Sequence, residues 1–194
     1  MSEDTNEKQP GGLNKDVVIG KGGPITGSAL SMIGAIITLF GFALPWASCG
    51  AYTFSGLEIV SQSASGDLSG SGGGFLIFVP ALALIVLGIA IANIPVALIQ
   101  KVPKFVKLVV AGVVLLFSTL TCCPSALFYT NIQSTRNDPN NFGLGGMIQL
   151  EYGFWISVVG VLISIFGGLV AIGTSIAHLV MSKKDKPPEV VEAE

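Results

Sequence analysis

Four long apolar stretches, 24–46, 74–99, 105–129 and 152–181, constrain this 194-residue chain more than any other feature. Together they contain no Asp, Glu or Arg and a single Lys, Lys107, near the start of the third. As helices rising about 1.5 Å per residue, all four are long enough to cross a hydrocarbon layer about 30 Å thick. Charged residues make up 11% of the chain and hydrophobic ones 51%, whereas a soluble domain carries about 25% charge. The expected fold is therefore an all-α membrane protein, an antiparallel bundle of four transmembrane helices spanning 24–181. Residues 1–23 and 182–194 are polar and charged, too poor in apolar side chains to bury a core, and read as disordered tails. A secretory signal would place a short apolar run close behind a basic start; here the first run begins only at Pro24 and continues to Trp46.

The distribution of basic residues orients the bundle. Lys8, Lys15 and Lys21 precede the first helix, Lys101, Lys104 and Lys107 surround the turn between the second and third, and Lys183, Lys184 and Lys186 follow the fourth. Only Arg136 falls on the other side. Because Lys and Arg near helix ends stay cytoplasmic, both termini are expected in the cytoplasm of a multi-pass cell-membrane protein, with loops 47–73 and 131–151 outside. Trp46, Tyr52, Tyr129, Tyr152 and Trp155, all the Trp and Tyr in the chain, fall near the outer boundary. Trp46, Tyr129, Tyr152 and Trp155 are accordingly expected as interfacial anchors in an aromatic belt.

Small residues indicate which helices meet. In the first helix Gly27, Ser31, Gly34, Thr38, Gly41 and Pro45 recur at alternating spacings of four and three. In the fourth, Gly153, Ser157, Gly160, Ser164, Gly167, Ala171, Thr174 and His178 do the same. A seven-residue period keeps such a stripe on one face, and small side chains let backbones approach where lipid supplies no hydrophobic drive. The two helices are expected to be close antiparallel neighbours crossing at roughly +20°, with Gly27, Gly34, Gly41, Gly160 and Gly167 at the contact and Val161 facing lipid.

Each outer loop holds one strand-like segment. Tyr52 to Val60 is rich in aromatic and β-branched residues before the chain turns to the linker composition SQSASGDLSGSGGG; Met147 to Tyr152 alternates after the turn cluster RNDPNN. The two segments are expected to pair as a small sheet over the bundle mouth, with two irregular loops as the alternative.

In Trp46, Gly56 and Leu57, together with four helices and a larger first loop, the chain resembles the claudin-like tetraspan superfamily. It departs where claudins continue with Trp and two loop cysteines: Glu58, Ile59 and Val60 follow here, and the loop holds only Cys49. Leu44-Pro45-Trp46 followed by Ser55-Gly56-Leu57 also resembles small uncharacterised prokaryotic four-helix proteins. Neither resemblance implies a function.

Several chemistries fail for want of residues. The lone His178 lies some 26 residues from Tyr152, roughly 39 Å along the helix and far from any outer-side cysteine, which removes a Cys–His nucleophile pair. Haem held by two histidines, histidine-ligated zinc and di-iron sites lack ligands. No metal, cofactor or catalytic residue is expected, and no nucleic-acid partner. Cys49, after Trp46-Ala47-Ser48, resembles a lipobox cysteine, but Trp46 stands where that pattern wants an aliphatic. Counted from Phe105, Cys122 and Cys123 reach the level of Trp46, so a disulfide from Cys49 to either is one expectation and buried free thiols the other. Asn93 with Pro80 and Pro95 raises a broken helix lining a site, against local packing. Without ionisable groups at depth a pump is not expected. Two functional classes follow: a non-enzymatic tetraspan acting as scaffold or accessory subunit through lipid, self- or other membrane-protein contacts, or a homo-oligomeric pore whose polar lining would be the Gly/Ser/Thr stripe of helix one.

Overall fold

A computed structural model describes residues 23–65, 73–98, 103–137 and 147–184. The tails through 22 and from 185, the linker 66–72, the turn 99–102 and the segment 138–146, with most of RNDPNN, lie outside the described residues. In chain order the elements are α1 (Gly23–Ala43), β1 (Pro45–Cys49), β2 (Tyr52–Ser55), α2 (Gly56–Ala64), a 3-10 turn (Gly73–Ile77), α3 (Phe78–Leu98), α4 (Lys104–Asn137), β3 (Ile148–Leu150) and α5 (Tyr152–Lys184). Four helices are long and apolar enough to cross a membrane, within Ile25–Ala43, Gly74–Val96, Phe105–Asn137 and Tyr152–Ala177. The chain is a multi-pass membrane protein with a three-stranded antiparallel sheet at one end of its bundle.

The long helices form a ring in the order α1, α3, α4, α5, each antiparallel to its neighbours, and α1 with α5 is by far the most extensive pairing. The reason lies in the small-residue stripes. A Cβ added to Gly27, Gly34 or Gly41 would collide with Ala171, Ser164 and Ser157 respectively, and one added to Gly167, Gly160 or Gly153 would collide with Ser31, Thr38 and the Pro45 carbonyl. Each glycine thus faces a larger small residue across the contact, and the register stays constant over three heptads. Close approach brings side-chain hydroxyls within reach of the opposite backbone: Ser31 Oγ donates to Ser164 O (3.2 Å), Ser164 Oγ to Ser31 O (3.1 Å), and Ser157 Oγ to Thr38 O (3.3 Å). Such bonds contribute about 0.6 kcal/mol each in a membrane bundle.

Two sequence expectations change, and the choice left open at Asn93 falls to local packing. Val161 is 3% exposed and faces the bundle interior, because it follows Gly160 on the side toward α4; Leu162, at 55%, takes the lipid-facing role. Asn93 is buried and donates from Nδ2 to Ser28 Oγ at 2.8 Å, tying α3 to α1, and α3 continues past Pro95 to Leu98 rather than breaking. The helix expected to end near Tyr129 runs to Asn137. Its last two turns are polar, with Thr130 and Thr135 hydroxyls donating to the Leu127 and Asn131 carbonyls and Arg136 beside the negative end of the helix dipole.

Candidate functional site

At the sheet end, α1 stops because Pro45 lacks an N–H and disfavours helical geometry at Leu44. The exposed carbonyls of a last helical turn need partners. Gly41 O receives two, Leu44 N at 3.2 Å and the indole Nε1 of Trp46 at 2.9 Å. Trp46 is wholly buried. Its ring lies 5.0 Å from Phe42, 5.7 Å from Phe128 and 5.4 Å from Phe154, with two of the three contacts edge-on, as aromatic quadrupoles prefer. Trp46 is therefore the centre of a core and not the lipid-interface anchor expected of it; the kink after α1 turns it inward over the bundle axis. Phe42, Ile59, Leu76, Val79, Ile132 and Phe154 join the same cluster, so the cap and the bundle share one apolar core. The other three expected anchors stay on the outside: Tyr129, Tyr152 and Trp155 are 38%, 54% and 52% exposed, and Tyr129 stacks on Phe154 and meets Trp155 edge-on.

The sheet has the order β2-β1-β3. The two segments expected to pair with each other instead flank β1, a strand that the composition of PWASC does not announce. Cys49 pairs with Tyr52, and the two-residue loop between them has Gly50 at φ +61°, the residue a tight hairpin requires at its first loop position. On its other side β1 aligns Ala47, Ser48 and Cys49 with Leu150, Gln149 and Ile148, and Glu151 N donates to Trp46 O at 2.9 Å. Only the first four residues of Tyr52 to Val60 are strand. Ser55 then caps α2: its Oγ accepts from Glu58 N, and its own N donates to Glu58 Oε2 at 2.7 Å. That last bond, followed by the Ser55 hydroxyl contact, holds the Glu58 carboxyl below its usual range. The Ser-x-x-Glu spacing is a capping-box signature and marks this helix start in the sequence. Gly56 opens α2 directly against Phe42, where a Cβ would meet the Phe42 carbonyl at 2.7 Å.

The three cysteines are free and exposed. The disulfide geometry fails because α4 is longer than its apolar run: Phe128, not Cys122, lies level with Trp46, leaving Cys122 about 9 Å further down the helix. Cys49 lies about 10 Å beyond Trp46 along β1. Their Cα atoms cannot approach the roughly 7 Å that a disulfide needs. The expectation that unpaired thiols are buried also fails, since Cys122 and Cys123 look out from α4. His178 falls near the end of α5 remote from the sheet. Among the described residues no three His, Cys, Asp or Glu side chains converge as metal ligands.

Two features are left as candidates for function. One is the rim of the cap, where β2 and β3 present strand edges that are unpaired among the described residues, beside exposed Tyr52, Leu57, Phe75 and Met147. The other is the bundle axis, closed at the sheet end by the Trp46 cluster. No protein family matches this chain, and no curated protein or solved structure matches it either. The likeness to claudin-like proteins accordingly carries no argument here, and what stands is a bundle of four membrane-spanning helices.

Proposed function

We propose that this protein is a non-enzymatic membrane tetraspan, a scaffold or accessory subunit that recruits another membrane or surface protein through the rim of its capped end. The proposal rests on the edge of β2, where Tyr52 and Thr53 are exposed on a strand that, among the described residues, is paired on one side only. An unpaired strand edge offers ready-made hydrogen bonding to a partner strand, and neighbouring apolar side chains supply selectivity. The bundle core anchors this edge rigidly, because Ile59 of α2 and Ala47 of β1 belong to the same cluster as Phe128 and Phe154.

We place the capped end outside the cell and both termini in the cytoplasm. Lys104 and Lys107 at the start of α4 and Lys183 and Lys184 at the end of α5 belong to the opposite end of the bundle, whereas Arg136 stands alone at the capped end. The pore alternative has lost its motivating feature: the Gly/Ser/Thr stripe of α1 is covered by α5 and unavailable to line an oligomeric channel. A photoreactive amino acid placed at Thr53 tests the proposal in native membranes. Crosslinks to a defined second protein are expected; crosslinks only between copies of this chain, closing into a ring, would replace the accessory role with a homo-oligomeric one.

A further inference from the structure

Midway along the bundle a cavity of about 10 Å³ is lined by residues from all four long helices. Four of its lining residues carry hydroxyls, Thr38 of α1, Ser118 and Thr121 of α4 and Ser164 of α5, and all four are at least 97% buried. Three of them have already committed their single proton. Thr38 donates to Gly34 O at 2.9 Å, Thr121 to Phe117 O at 2.8 Å and Ser164 to Ser31 O at 3.1 Å. Toward the cavity they present only lone pairs. Ser118 Oγ, 1% exposed, has no hydrogen-bond partner among the described residues.

We infer that this cavity is a binding site for one structural water molecule. The complement of such a site is a small neutral ligand with two protons to give and a lone pair to receive the Ser118 proton. Water has that valence, and a cavity of about 10–15 Å³ with two to four polar partners is the size that holds one. A buried hydroxyl without a partner is destabilising, and the water removes that penalty while bridging α4 to α1 and α5. A dehydrated metal cation is a poor match, because the lining offers no carboxylate and every nearby backbone carbonyl belongs to a helix. The Trp46 cluster seals the axis on one side, so no aqueous path runs from the site through the sheet end.

The test is a structure of the intact protein in a lipid phase at a resolution that shows ordered water, together with Ser118→Ala and Ser118→Val. One peak within hydrogen-bond distance of Ser118 Oγ and of two or more of the other hydroxyls is expected, and it should vanish in Ser118→Val. Thermal unfolding gives an independent reading: Ser118→Ala should lower the midpoint, since a bridging bond is lost. A dry cavity with the Ser118 hydroxyl turned back onto its own helix would overturn the inference. So would a rise in the Ser118→Ala midpoint, which is what removing an unsatisfied hydroxyl produces. A peak with metal–oxygen distances that depends on the salt used would assign the site to a cation instead.

Discussion

Gly160→Ala is the smallest change that tests whether the α1–α5 contact governs the stability of the bundle. The new methyl carbon would stand 2.6 Å from both Thr38 N and Thr38 Oγ1 and 2.7 Å from Gly34 O, against the 3.4 Å at which ordinary contact begins. Two of those three atoms are backbone and cannot swing aside, so the helices must part locally by about 0.8 Å, the difference between 3.4 and 2.6 Å. The interhelical bonds from Ser31, Ser164 and Ser157 measure 3.2, 3.1 and 3.3 Å, and each would pass 3.5 Å if the contact opened by that amount. Three bonds at about 0.6 kcal/mol come to about 2 kcal/mol. Lost dispersion adds to this, and the better helix propensity of Ala returns about 0.5–1 kcal/mol. The net cost is about 2 kcal/mol, within the range of about 1–3 kcal/mol for overpacked sites. For a chain of this size that lowers the midpoint by about 4–8 °C. The assay is thermal unfolding in detergent with Gly173→Ala and Gly168→Ala as internal standards on the same helix. A Cβ at Gly173 meets nothing within 4 Å and one at Gly168 comes to 3.1 Å from Leu115 Cα. Gly173→Ala should be neutral or slightly stabilising and Gly168→Ala intermediate. If Gly160→Ala unfolds within a degree of Gly173→Ala, the contact does not carry the bundle.

Other outcomes follow from the same geometry. In a Cys49→Ser background, needed because Cys49 is itself exposed at the capped end, cysteine at Ser65 should label in intact cells with an impermeant reagent and cysteine at Glu192 should not; the reverse pattern inverts the topology. The Glu58 carboxyl has a lowered pKa in the folded protein, so its stabilisation of α2 is fully present above the unfolded carboxylate value and is lost as pH falls through the folded one. Hydrogen exchange of the Ser55 amide, which donates to the Glu58 carboxylate, should accelerate over that acid window in the native chain and be fast and pH-insensitive, after correction for intrinsic rates, in Glu58→Ala. Trp46→Phe keeps a ring in the cluster but removes the donor to Gly41 O, and should cost about 1–2 kcal/mol against about 3–5 kcal/mol for Trp46→Ala; a Trp46→Phe protein as stable as the native one would mean that the indole bond contributes nothing.

The spans and the α1–α5 pairing were legible because each depends on a signal that lipid leaves unopposed: unbroken apolar length for the one, a seven-residue repeat of small side chains for the other. The cap was less legible, for different reasons at each element. β1 has a proline and three small residues in five positions, and is a strand only because β2 and β3 supply partners on both sides. The start of α2 was written in Ser55 and Glu58, but the aromatic and β-branched residues around them suggested strand. For α4, hydropathy marks where apolar composition ends and not where hydrogen bonding ends, so the polar turns through Asn137 were cut off and the cysteines were placed too high. Trp46 could not be separated from Trp155 by composition. Only the proline-induced turn after α1 and the indole bond to Gly41 distinguish a core tryptophan from one at the lipid interface.

The small-residue contact also determines where the sheet forms. Packed helices ordinarily lie about 8–10 Å apart, while paired strands lie about 4.8 Å apart. The α1–β1 and β3–α5 segments must pass from one spacing to the other within a few residues, and their antiparallel register continues almost unbroken, from Thr38 opposite Gly160 to Ala47 opposite Leu150. The convergence occurs at Gly153, whose missing side chain lets the Pro45 carbonyl approach the first turn of α5. Gly153→Ala should therefore pry β3 away from β1 while leaving the β1–β2 hairpin, which its own turn at Gly50 closes locally. Hydrogen exchange distinguishes the two ladders. The Glu151 amide, bonded to Trp46 O in the native chain, should lose protection many-fold, whereas the amides shared between β1 and β2 should change little. Uniform loss across both ladders would mean that the sheet folds as one unit independent of the helix contact, and unchanged protection at Glu151 would mean that the strands, not the glycine, hold the two segments together.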